Sequence, residues 1–158
     1  GKITTYRRLA EEALERLAPY LHSANAKEGW TATAPLPGGD MDVSAVVALT
    51  AELMREHPFL AHAHANRLAH AYGTRATKLL GNSKSMADLG KCFGDTLTEA
   101  EVRYLMTNEW AVTAEDVVWR RSKLGLRLTA AEISALDDWM AAHRAESARP
   151  LREAGARP

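Results

Sequence analysis

Four histidines crowd residues 57–70, at His57, His62, His64 and His70. Imidazole serves as a metal ligand or as a general base, so their spacing decides what they could do. His62, Asn66 and His70 recur one helical turn apart on an outward face, whereas a metal pair needs two good ligands one turn apart. Asn66 interrupts the pair, and no carboxylate or thiol joins it. The cluster therefore reads as a solvated helix face, and no metal is expected. His57 and His64 lie on or near apolar stripes. Without a serine or cysteine nucleophile beside them they read as packing residues.

A second candidate is the basic stretch TAEDVVWRRSKLGLRL, Thr113 to Leu128, preceded by a helical pattern from Thr98. Two helices and a short turn invite comparison with a DNA-binding helix-turn-helix, whose second helix gathers its cations on one outward face. At about 100° per residue the projection differs: Ala114, Val117, Val118, Arg121 and Leu124 form one stripe, and Trp119 points nearly opposite. On the preceding helix the stripe is Val102, Leu105, Met106 and Glu109. A carboxylate and a guanidinium each stranded among apolar residues are expected to pair, because an unpaired buried charge is costly. Glu109 and Arg121 are thus expected to form a partly buried, structural ion pair, and Asp116 to pair with Arg120 at the surface. Too few cations are left for phosphate contacts, so no nucleic acid is expected as a partner. Trp119 is an interface candidate.

The chain of 158 residues is rich in Ala, Leu and charged residues. No window alternates with a strand's period. The expected fold is all-α, a compact bundle of about six to eight short helices. Thr4 or Thr5 caps a first helix to about Tyr20, with Leu9, Ala13 and Leu17 on its apolar stripe. Asp42 caps a second, with Val43, Val46, Val47, Thr50, Leu53, Met54 and His57 sharing a face. Pro58 opens a third that Gly73 closes. Short helices are expected at 75–80 and 86–92. Three capping boxes, Thr98/Glu101, Thr113/Asp116 and Thr129/Glu132, open the rest.

Twenty Lys+Arg balance twenty Asp+Glu, so no global charge draws the chain to nucleic acid or membrane. A single Cys92 excludes an internal disulfide and suits a reducing compartment. No apolar run approaches the roughly 18 residues of a membrane span. The chain opens at Gly1 inside a patterned segment, which reads as a piece of something longer.

Three stretches carry a resemblance: GKITTYRRLAEEALERL, APLPGGD and EVRYLMTNEWAVTAEDVVWRRSKLGLRL. In this order they resemble the C-terminal third of the FAD-dependent glycerol-3-phosphate dehydrogenases and the related glycerophosphate oxidases. The resemblance implies a parent that oxidises sn-glycerol 3-phosphate to dihydroxyacetone phosphate on a flavin and passes electrons to quinone, or to oxygen in the oxidases. It implies that Gly1, Lys2 and Thr4 are cofactor-binding in the intact parent, with Lys2 beside the flavin and Thr4 helping to hold FAD. Residues 1–22 would end the cofactor-binding domain, its last helix left over at the start of this chain. Residues 23–34 would be a linker, 35–145 the C-terminal helical domain and 146–158 a disordered tail.

No Gly-x-Gly-x-x-Gly element follows a strand, so this stretch alone is expected to be inactive, with no catalytic residue and no cofactor of its own. The expected function is that of an accessory, non-catalytic domain. Its partners would be the parent's own FAD and substrate domains, with a homo-oligomer also compatible. Its setting would be cytoplasmic or, through the parent, peripheral on the inner face of the cytoplasmic membrane. Without the resemblance, the residues leave open an independent helical interaction module.

Overall fold

The computed structural model describes residues 3–20 and 30–147. Gly1, Lys2, residues 21–29 of the expected end domain and linker, and all but the start of the expected tail lie outside the described residues.

Six α-helices and one small hairpin, linked by several 3-10 turns, make up the described elements. They are α1 (Tyr6–Leu17), α2 (Val46–Glu56), α3 (His62–Tyr72), α4 (Arg75–Leu80), β1 (Cys92–Gly94), β2 (Leu97–Thr98), α5 (Glu99–Asn108) and α6 (Ala130–Ser147), with a π-helical turn at Asp116–Arg121 before α6. The mostly helical fold stands as expected. Asp42 starts the second helix as read, its carboxylate accepting from the Ser44 amide at 2.8 Å ahead of a 3-10 turn that runs into α2.

Three local readings need correction. Pro58 does not open α3, which begins at His62. The residue before a proline is pushed towards extended backbone, and His57, at φ −126° and ψ 73°, ends α2. Residues 58–60 then turn, with the Leu60 amide donating to the His57 carbonyl at 3.0 Å. The expected helix at 86–92 is a single 3-10 turn, Met86–Leu89, boxed by Ser85 and Asp88. Gly90 ends it at φ +75°, and Cys92–Gly94 pairs antiparallel with Leu97–Thr98. Val43 and Val47 stand exposed, leaving Leu49, Thr50 and Leu53 as the core face of α2.

One core unites α2 to α6. Leu53, Leu68, Leu105, Leu136 and Met140 are fully buried, and Val117 and Val118 of the π-helical turn join them. Each such leucine contributes about 2 kcal/mol. Thr113/Asp116 and Thr129/Glu132 form reciprocal boxes: Asp116 accepts from the Thr113 amide at 3.0 Å, and Glu132 from the Thr129 amide at 2.7 Å. Thr98/Glu101 does not. Glu101 points into the core, and no side-chain cap hydrogen bond is made at Thr98. By contrast α1 buries none of its residues.

Candidate functional site

The deepest polar arrangement is one the sequence reading passed over. Glu101 is 0% exposed. Arg67 of α3 grips it with two hydrogen bonds, Tyr72 donates to it at 2.6 Å, and the Arg67 Nε reaches Thr96 Oγ1 at 2.8 Å. A buried carboxylate is tolerated when it is paired and its lone pairs are satisfied. This network joins α3, the hairpin turn and the first turn of α5. Its spacing carries two signals at once, because Glu101 sits one turn before Leu105 on the inward side of α5 and also three residues after Thr98, as a capping box requires.

Above that network the C-terminal end of α5 borders an open groove of about 460 Å³. Leu36 and Pro37 form one wall, Ala71, Tyr72 and Arg75 another, and Tyr104, Asn108, Glu109, Trp110 and Arg121 the rest. The wall at 36–37 is held by close backbone contact. Gly38 and Gly73 both take positive φ, and a Cβ on Gly73 would come within 1.9 Å of the Gly38 carbonyl oxygen. That same oxygen accepts from the Thr74 amide at 3.2 Å, and the Thr74 hydroxyl donates to Asp40. The PLPGGD loop is thus clamped to the corner between α3 and α4.

Glu109 and Arg121 meet at the groove's floor, though not on an apolar stripe. Glu109 ends α5 at φ −129°, and its side chain remains about a third exposed. The Arg121 guanidinium donates from Nε and Nη2 to the Glu109 main-chain carbonyl at 3.1 and 2.9 Å, while Nε to Oε2 is 3.8 Å. The main contact is therefore the capping of a helix-end carbonyl by a cation. Burial raises the Glu109 carboxyl above its usual range against the pull of Arg121, and burial followed by the Glu109 charge raises the Tyr104 phenol.

Trp119 lies outside the groove. It is 38% exposed, and its indole covers Gly125 so closely that a Cβ there would meet the ring at 2.5 Å. The π-helical turn carries it: the Ser122 amide donates to the Val117 carbonyl at 3.0 Å, one residue wider than an α-turn. Arg120 reaches Asp116 at 2.8 Å and Glu115 at 3.0 Å, and Lys123 donates to the Trp119 carbonyl. Thr4 sits exposed in a 3-10 turn ahead of α1, while Gly1 and Lys2 fall outside the described residues.

Of the histidines, His57 and His64 are buried and His62 and His70 exposed. His57 Nδ1 donates to the Ser83 carbonyl at 3.1 Å, and His64 Nε2 is buried without a hydrogen-bond partner. No group of three metal-ligating side chains occurs among the described residues. The groove sets aromatic and apolar walls beside two guanidiniums and the Glu109 carboxyl.

Residues 30–147 match the family model described as the C-terminal domain of alpha-glycerophosphate oxidase. The chain belongs to this family. The matched stretch holds every residue of the groove and begins after α1. The chain is 46% identical over 140 residues to the glycerol-3-phosphate dehydrogenase of Pseudomonas aeruginosa, and 42% identical over 144 residues to the aerobic glycerol-3-phosphate dehydrogenase of Escherichia coli. Each alignment takes in 89% of this chain and 27% of the relative. The D-erythritol 1-phosphate dehydrogenase of Brucella abortus is 37% identical over 139 residues, covering 88% of this chain and 27% of that protein. The chain thus spans about a quarter of the length of these relatives and corresponds to a C-terminal domain of the glycerol-3-phosphate dehydrogenase and oxidase family.

Proposed function

We propose that this chain is the accessory, non-catalytic C-terminal module of an FAD-dependent glycerol-3-phosphate dehydrogenase, and that α1 closes the cofactor-binding part of the parent. The observation that carries this reading is α1 itself. It is an amphipathic helix ahead of the family-matched stretch, and its Leu9, Leu14 and Leu17 are exposed. A helix of 12 residues is marginal in water unless its apolar face is covered. Its ties to the module include polar ones: Arg7 Nη1 donates to Thr31 Oγ1 at 3.2 Å, and Thr31 donates to Glu11. In this reading the leucines are covered by upstream polypeptide of the parent.

The described residues do not fit a flavin dinucleotide by themselves. The passage from β2 into α5 runs without a glycine-rich turn and places Glu99 and Glu101 in the first turn. Carboxylates there would repel a pyrophosphate instead of cradling it. FAD would meet this chain only at its start, at Gly1, Lys2 and Thr4, where an ammonium and a helix N-terminus favour negative charge. Oxidation of sn-glycerol 3-phosphate, with two electrons leaving for quinone, would belong to the upstream three quarters. A quinone acceptor would bring the parent to the inner membrane surface. Among the described residues no helix is long and apolar enough to cross a membrane.

The test is to sequence upstream of Gly1, express the full reading frame, and compare it with residues 1–158. The expected result is an in-frame Gly-x-Gly-x-x-Gly element and a flavin that glycerol 3-phosphate bleaches, with residues 1–158 inert. A start codon beside Gly1 overturns the reading. A flavin bleached only by erythritol 1-phosphate would keep the module and change the substrate.

A further inference from the structure

His64 lies on α3 three residues before Arg67 and is 3% exposed. Residues three apart on a helix share a face, so a titratable ring sits beside the guanidinium that grips the buried Glu101. The His64 Nε2 is buried without a hydrogen-bond partner, and so is the Thr98 hydroxyl, three residues before Glu101. Buried polar atoms are usually paired. The neutral fold therefore leaves the bonding capacity of this imidazole unspent next to an ion pair.

Arg67 also ties the hairpin to α3. Its Nε donates to Thr96 Oγ1 at 2.8 Å and its Nη2 to the Thr96 carbonyl at 3.1 Å. The tip so held is strained, for Gly94 at φ +129° is followed by Asp95 in left-handed backbone at φ +45°. Phe93 and Leu97 on either side are buried. The tip, Asp95–Thr96, can therefore lift while both strands stay packed.

The charges facing His64 set what a proton would do there. Arg67 opposes it, while Glu101 and Asp95 attract it. Both Glu101 oxygens are taken by Arg67, and Tyr72 remains a neutral donor to one of them, since burial and then the Glu101 charge raise its phenol. Asp95 is shared with Arg127 at 3.3 Å. On α2 and α4, which also pack against α3, His57 is bonded to the Ser83 carbonyl, Glu52, Arg55, Glu56 and Lys78 are exposed, and Arg75 borders the groove. A proton on His64 thus puts two cations beside one buried carboxylate, and an uncompensated buried charge is not tolerated. Arg67, whose side chain is 17% exposed, is the cation already in reach of water.

We propose that His64, Arg67 and Glu101 form a proton-driven latch: His64 takes a proton from solvent, its imidazolium replaces Arg67 on Glu101, and Arg67 moves to water and releases the Asp95–Thr96 tip. Each state buries one cation with one carboxylate, so the exchange strands no charge. Imidazole suits this use because its charge changes between about pH 5 and 8. The latch needs only α3, the hairpin and α5, and does not rest on the reading of the chain as a C-terminal module.

Hydrogen exchange at the Arg67 Nε–H, followed by NMR on residues 1–158, reads the tie to Thr96 directly. Between pH 7.5 and pH 5.5 its protection factor is expected to fall roughly tenfold, because an imidazole titrating freely at 6.5 is about nine-tenths protonated one unit lower. Low urea is expected to leave this exchange unchanged while it speeds exchange at the Leu68 amide, since lifting the tip exposes far less surface than unfolding. His64→Gln, or His64→Leu should that variant fail to fold, is expected to hold the Arg67 protection constant across the pH range. Constant protection in the unmodified chain overturns the proposal. So does a fall that persists without the imidazole, because another group would then drive it. Exchange at Arg67 that urea speeds as strongly as at Leu68 also overturns it, since the tie would then break only when the whole domain unfolds.

Discussion

Arg67 holds both carboxylate oxygens of Glu101, Nη1 to Oε1 at 2.7 Å and Nη2 to Oε2 at 2.6 Å. The grip joins α3 to α5 with Glu101 sealed from water. Removing one partner leaves the other charge buried and alone, which costs about 3–5 kcal/mol. Arg67→Met and Glu101→Leu are each expected to lower the unfolding free energy of residues 1–158, read from urea titration, by that order. The double variant should lose clearly less than the sum. Additive losses would mean that the two side chains are not coupled.

His64 gives the fold a pH dependence on the acid side. Burial first, and the Arg67 charge next, lower its pKa from the ordinary 6.5, against the opposing pull of Glu101 and Asp95. Above that value the imidazole is neutral whether the chain is folded or not, and its contribution to stability is fully present. As pH falls from 6.5 towards the lowered folded value, only the unfolded chain takes up the proton, so stability is lost. Thermal melts between pH 7 and pH 5 are expected to show the decline. His64→Leu, which also removes the partnerless Nε2, should flatten it.

Asp116 works in a more acidic window. The amides of Val112 and Thr113 bring its pKa down from 3.8 to about 2. Its stabilisation is therefore present above about pH 4 and lost as pH falls from there towards 2. Asp116→Asn is expected to cost about 1 kcal/mol at pH 7, as the loss of a cap does, and the difference from wild type should shrink in acid. A constant difference down to pH 2 would show that the charge is not what caps the turn.

Trp110→Gly is expected to stabilise residues 1–158. The substitution relieves left-handed backbone strain at φ +55° and sacrifices little burial, since Trp110 is 80% exposed, so a gain of up to about 1 kcal/mol follows. Stabilising an isolated domain by removing a tryptophan is an unusual direction. A loss of stability on denaturant titration would show that the indole makes contacts that help the fold.

What the sequence made legible followed the range of the forces. Asp42, Thr113/Asp116 and Thr129/Glu132 act within a few residues of themselves, and periodicity found Val102, Leu105, Val117 and Val118. Glu101 carries the same local signature as a cap, yet its partners, Tyr72 and Arg67, lie 29 and 34 residues back, and burial outweighed the capping box. Projection brought Arg121 to Glu109 because their elements are neighbours. It could not show that the carbonyl, rather than the carboxylate, would be the main acceptor. The hairpin strands, Cys92–Gly94 and Leu97–Thr98, are too short to alternate visibly. Nothing in the type or spacing of Trp110 discloses its left-handed backbone, which arises where α5 must turn back to close on Leu105.

The contact between Gly38 and Gly73 restricts what substitution can reach. A methyl group on Gly38 would strike the Tyr72 carbonyl, and one on Gly73 would strike the carbonyl of Gly38. Both collisions are with main chain, which no exchange of side chains elsewhere can move aside. Most core positions can drift in pairs, one growing as its neighbour shrinks. These two cannot, so a lineage that loses either glycine has no single compensating change open to it, and the loop between residues 34 and 40 would have to be rebuilt as a unit.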